Sequence, residues 1–130
     1  MRRGLRRDGF AEQSHTRARG EAGEEDGVLW LREEGYRIVE RNFVAKTGEI
    51  DVIAWDGETL CFVEIKARAT TSYGPAVEAV SFQKQRRIAR TAALYLARKP
   101  TDAPCRFDVL GMDQGANGWN YSLLRDAFTL

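Results

Sequence analysis

The chain has 130 residues, with 20 Lys and Arg against 19 Asp and Glu, so its net charge is close to zero. That length suits one domain with a real core that needs neither disulfides nor a structural metal, and the mix of 43% apolar and 30% charged residues is that of a globule, not a disordered chain. No apolar run is long enough to cross a membrane and no apolar segment marks a secretory signal, while two cysteines, Cys61 and Cys105, point to a reducing, cytoplasmic setting.

Residues 1–19, "MRRGLRRDGFAEQSHTRAR", hold many arginines and no periodicity, and read as a disordered basic arm or in part a start-site artefact. His15, the only histidine, lies there, which argues against His-based triads and zincins. Residues 20–130 read as one domain. "GEEDGVLWLREE" (23–34) is helical, with acids in its first turn and Gly35 as its stop. "YRIVERNF" (36–43) alternates as a strand does, and 49–55 and 58–67 form two strands around an Asp56-Gly57 hairpin turn. After "ATTSYGPA", Ser81 N-caps a helix running to about Arg98, with Pro100 beyond it. Residues 106–112 and 119–124 are strands around the turn-rich "DQGANG". The order α-β-β-β-α-β-β predicts an α/β domain with a mixed five-stranded sheet flanked by helices.

The central hairpin, "GEIDVIAWDGETLCFVEIKAR", mixes core residues with charges. A turn at Asp56-Gly57 pairs Trp55 with Glu58, Asp51 with Phe62 and Glu49 with Glu64, and facing residues share a side of the sheet. Asp51, Glu64 and Lys66 then converge at one end of one face, beside Leu60 and Phe62. Such a cluster is either a solvated face with a cross-strand ion pair or a cation site. Clustered carboxylates repel unless a cation or protons intervene, and oxygen ligands without nearby His or Cys suit Mg²⁺ or Mn²⁺.

Charge sign changes along the chain. Residues 21–65 are rich in acids, whereas Lys66, Arg68, Lys84, Arg86, Arg87, Arg90, Arg98 and Lys99 face only Glu78 in the next stretch. This asymmetry suits a surface that meets a polyanion, although "KQRR" alone also fits a solvated helix face. On that helix Ile88, Ala92 and Tyr95 mark the apolar stripe. Lys84 and Gln85 fall within its arc, as phosphate or site contacts or simply as the end of the stripe, while Arg86, Arg87 and Arg90 turn outward.

An acid in a hairpin followed by [DE]-x-K on the next strand resembles the PD-(D/E)xK nucleases, with Asp51 as the first acid and Glu64-Ile65-Lys66 as the rest. The first acid sits in Gly-Glu-Ile-Asp, where the generic motif has Pro-Asp, and proline there is no ligand. Together with "GEAGEEDGVLWLREEGYRIVERNF", "KQRRIARTAALYL" and "CRFDVL", the chain from about residue 20 resembles the YraN-type (UPF0102) bacterial proteins, which are similar to archaeal Holliday-junction resolvases. The resemblance implies a restriction-endonuclease-like core and metal-dependent hydrolysis of DNA phosphodiesters, on branched substrates. It implies Asp51 and Glu64 as ligands of Mg²⁺ or Mn²⁺, helped by the Ile65 carbonyl, with Lys66 orienting or deprotonating water and stabilising charge. Glu24, on the core-facing side of the first helix, either joins the metal or only complements the helix dipole. Glu49 and Gln85 stand behind the ligands, and Lys84, Arg86, Arg87, Arg90 and Arg68 face nucleic acid. A two-fold junction suits a homodimer. A nucleic-acid-binding module without turnover, or a protein adaptor, are the competing readings.

Overall fold

A computed structural model describes residues 23–69 and 80–129. The basic arm with His15, and most of the loop before Ser81, lie outside the described residues. Helix α1 covers residues 23–33, followed by β1 (Arg37–Ala45), β2 (Gly48–Asp56), β3 (Thr59–Arg68), helix α2 (Phe82–Arg98), β4 (Cys105–Gly115) and β5 (Gly118–Phe128). The sheet runs β1-β2-β3-β4-β5 in space, antiparallel except for β3 and β4, which are parallel across the α2 crossover. The predicted α/β order, mixed sheet and flanking helices are all present.

Local chemistry sets the element ends. Gly35 takes φ +103 after α1, and the Tyr36 and Gly35 N–H groups donate to the Leu31 and Arg32 carbonyls, closing a Schellman cap. Ser81 caps α2 by accepting from the Lys84 N–H at 3.1 Å. The last two strands run longer than their sequences suggested. Gly115 pairs with Gly118, so only residues 116 and 117 turn, and Gly118 takes φ +118.

The sheet separates two apolar clusters. Phe43, Ile50, Ile53, Phe62 and Val109 meet Ile88, Ala92 and Tyr95 of α2, as the predicted stripe requires. On the other side Val52, Ala54, Val63, Ile65, Leu110 and Met112 meet Val28 and Leu31 of α1. Gly27 lets α1 lie close, because a Cβ there would stand 3.1 Å from the Met112 sulfur and 3.2 Å from Ile65 Cδ1. Trp30 stacks on Tyr121 at 5.0 Å, and the Trp119 indole N–H donates to Asp26, holding α1 against β5.

Two features of the central hairpin differ from the sequence reading. Asp56 pairs with Thr59, so Gly57 and Glu58 form the turn. Gly57 alone there has positive φ, at +62, which fits a turn with glycine in the first central position instead of Asp-Gly filling both. Moving a two-residue loop by one place changes partners but not faces, so Ile53, not Asp51, lies opposite Phe62. The second difference lies further along β2. Val52 packs under α1 and Ile50 under α2, although residues two apart on a strand ordinarily share a face. The switch falls where Asn42 of β1 takes a left-handed φ of +55, between the rungs Arg41–Val52 and Phe43–Ile50. Asn tolerates that conformation better than most side chains.

Candidate metal centre

The β2–β3 ladder ends at Val52–Val63. Beyond it β2 stays with β1, as in Val44–Glu49, and β3 stays with β4, as in Glu64–Val109 and Lys66–Gly111. The two strands part there like a fork, with Asp51 and Glu64 the first residues past the last rung. A backbone N–H at such a parting needs an acceptor. Asp51 Oδ2 supplies it, accepting from the Ile65 N–H at 2.8 Å. Ile65 thus enters the site as a donor to the first acid.

The approach of α1 adds Glu24. One carboxylate oxygen each from Glu24, Glu49 and Asp51 lie within 4.8 Å of one another. Glu49, expected behind the ligands, is therefore in the tight group, because the face switch turns this end of β2 toward the start of α1. Burial and the charges of Glu64, Glu24 and Glu49 push the Asp51 carboxyl well above the usual carboxylate range, against the lowering effect of the Ile65 N–H. At 8% exposure it has little water to offset that repulsion.

Glu64, 7% exposed, has a different balance. Burial raises its carboxyl, while Lys84 lowers it by charge and hydrogen bond, Lys66 lowers it further and Glu49 raises it. Lys84 Nζ stands 3.2 Å from Glu64 Oε2, so the helix lysine reaches into the acid centre. Its neighbour Gln85 donates to the Val80 carbonyl at 3.0 Å, which ties down the start of α2. Arg86, Arg87 and Arg90 of α2 are exposed, Arg87 on the flank of the helix beside Gly48. Arg68 is not on that basic surface, since its guanidinium is bound to Asp113 at 2.9 Å with both side chains largely buried. No sequence signal marked that pair, which joins β3 to β4 at the Arg68–Asp113 rung.

The donor set fits a hard divalent cation: three clustered carboxylates, one of them buried and repelled by its neighbours, with a fourth across the fork. The model of Uncharacterised protein family UPF0102 matches residues 23–112, which contain the whole fork. The chain belongs to the UPF0102 family. It is 48% identical over 115 residues to a UPF0102 protein of Symbiobacterium thermophilum, covering 87% of this chain and 98% of the relative. A UPF0102 protein of Geotalea uraniireducens is 41% identical over 121 residues, 92% of this chain and 95% of its own. One of Chlorobium phaeobacteroides is 47% identical over 94 residues, 72% and 75% respectively. The YraN-type resemblance is thereby a family membership. Among the described residues of this UPF0102 chain, no helix is long and apolar enough to cross a membrane.

Proposed function

We propose that this UPF0102 protein is a metal-dependent DNA endonuclease acting on branched or otherwise structured DNA. One observation carries the reading: a buried aspartate at a strand fork, repelled by Glu64, Glu24 and Glu49, with Lys84 in contact with Glu64 and Lys66 near enough to lower that same carboxyl. Asp51, Glu24 and Glu49 would hold Mg²⁺ or Mn²⁺, with Glu64 facing them across the fork. A bound divalent ion supplies Lewis-acid polarisation of a phosphate and a more acidic water. Asp51 keeps its orientation through the Ile65 N–H. Lys66 lies close enough to Glu64 to lower its carboxyl, and its ammonium would orient water and meet charge developing on the phosphate. The exposed arginines of α2 would hold phosphates without regard to sequence.

The Lys84–Glu64 pair favours a second reading, a nucleic-acid-binding module without turnover, because one acid already has its cation. A cleavage assay on junction, flap and blunt duplex DNA with Mg²⁺ and Mn²⁺ separates the two. The nuclease reading expects metal-dependent cuts that Asp51→Asn and Lys66→Ala each reduce by roughly a thousandfold or more, several kcal/mol of transition-state stabilisation. Salt-sensitive DNA binding with no cleavage of any substrate would leave the binding module.

A further inference from the structure

The outer side of α2 carries a feature that the acid centre does not use. Phe82 is the first residue of the helix and is 65% exposed, more than any other large apolar side chain among the described residues. Burying such a ring is worth about 1.5–3 kcal/mol, which this position forgoes. The Arg86 guanidinium lies 5.7 Å from the ring centroid. Phe82, Arg86, Ala89, Arg90, Ala93 and Thr129 line an open groove of about 720 Å³. Two of its lining residues are alanines, small enough to leave room for a flat group, and its charged lining is two arginines. Among the described residues no carboxylate pairs with Arg86 or Arg90, and α2 contains no acid at all.

We infer that this groove binds an unstacked nucleotide of a single DNA strand, its base on the free side of the Phe82 ring and its phosphates at Arg86 and Arg90. The inference rests on the nucleic-acid reading above and narrows its substrate to DNA with unpaired nucleotides beside the cut. An aromatic face with flanking guanidiniums is what a base and its phosphate need together. A purely apolar partner would leave both arginines unused, and an acidic peptide would leave the ring unused. The groove lies where α2 meets Thr129, just past the end of β5, and Lys84, two residues after Phe82 on the same helix, reaches Glu64.

The test measures binding by fluorescence anisotropy with EDTA present, using a labelled single-stranded DNA, the blunt duplex of the same sequence and the matching single-stranded RNA. Phe82→Ala should weaken single-strand binding by about 5- to 150-fold, the range for losing one stacked base, and change duplex binding less than twofold. Phe82→Trp should restore the single-strand affinity, and Phe82→Leu, which keeps apolar bulk but no ring, should not. Arg86→Ala with Arg90→Ala should weaken both DNA forms and lower the salt slope by about one to two units. Equal loss on duplex and single strand, full rescue by leucine, tighter binding of RNA than DNA, or a dimer that Phe82→Ala dissolves would each overturn the assignment. Because metal is absent, the outcome does not depend on turnover. Cleavage without Phe82-dependent binding sinks the groove alone, and Phe82-dependent binding without cleavage sinks the nuclease alone.

Discussion

Asp108 and Asp51 are both buried acids of one sheet, and their neighbours differ in kind. Asp108 is fully buried and surrounded by donors: the Tyr36 hydroxyl at 2.7 Å, two nitrogens of Arg106 at 2.9 and 3.0 Å, and the Asp126 N–H at 2.9 Å. Arg106 continues to Asp56 at 2.6 Å, and Arg125 reaches the same carboxylate at 3.1 Å. Asp126 serves from a left-handed φ of +56, at the irregular step between Phe107 and Val109. Asp51 receives one N–H and faces three carboxylates. A buried charge is tolerated when it is paired and hydrogen-bonded. The first aspartate meets that condition from within the protein, and the second meets it only with protons or a cation. Burial alone thus does not tell these two aspartates apart, whereas the sign of the surrounding charges does.

The largest effect expected follows from removing each acid in turn. Asp108→Ala leaves Arg106 with Asp56 alone and takes the acceptor from the Tyr36 hydroxyl and the Asp126 N–H, and should cost about 3 kcal/mol of stability in a denaturant titration. Asp51→Asn keeps an oxygen for the Ile65 N–H and removes one of several repelling charges, so its metal-free melting temperature should equal or exceed that of the wild type. If both substitutions destabilise by similar amounts, the contrast between the two aspartates is wrong.

Next in size is the response to metal. A ligand that binds only the folded state adds about 2.7 kcal/mol at one hundred times its dissociation constant. Mg²⁺ or Mn²⁺ should raise the melting point of the wild type and of a milder variant in the other network, Asp56→Asn, by the same increment, and that of Asp51→Asn by none. Equal shifts in all three would remove Asp51 from the ligand set.

Much of this arrangement was legible in the residues because its signals are local. Ser81, Gly35 and the alternation of 49–55 and 58–67 set caps and strands within a few positions of themselves. The candidate acid cluster was legible in composition, with Asp51, Glu64, Glu24, Glu49 and Lys84 singled out in the sequence, but not in arrangement. Facing arithmetic assumes a regular sheet, and the end of β2 turns over beside a left-handed Asn42 on the neighbouring strand, with Glu49 next to Glu24. Nothing in hydrophobic periodicity encodes that residue's φ. The Arg68–Asp113 pair was equally hidden, because it depends on which strands neighbour each other 45 positions apart.

The smallest effect expected is in the pH dependence of metal-free stability, where the two networks pull in opposite directions. Hydrogen bonds from Arg106, then from Arg125, hold the Asp56 carboxyl below the usual range despite some burial. A lowered acid stabilises the fold above its unfolded value, and that contribution is lost as pH falls through the folded one. Asp51 is the reverse, since burial first and its neighbouring carboxylates second raise it. Between its unfolded and folded values the native state binds the extra proton, so stability declines as pH rises through that window. Metal-free protein should therefore be most stable at mildly acidic pH, with Asp56 still ionised and Asp51 still protonated. Asp51→Asn should flatten the decline on the alkaline side, leaving a residue of slope from Glu64, which burial also raises. Asp56→Asn should flatten the acid side only. Melting curves of the three proteins in EDTA from pH 4 to pH 8 read both slopes, and a wild-type melting point that climbs steadily to neutrality would mean that Asp51 is ionised without a cation.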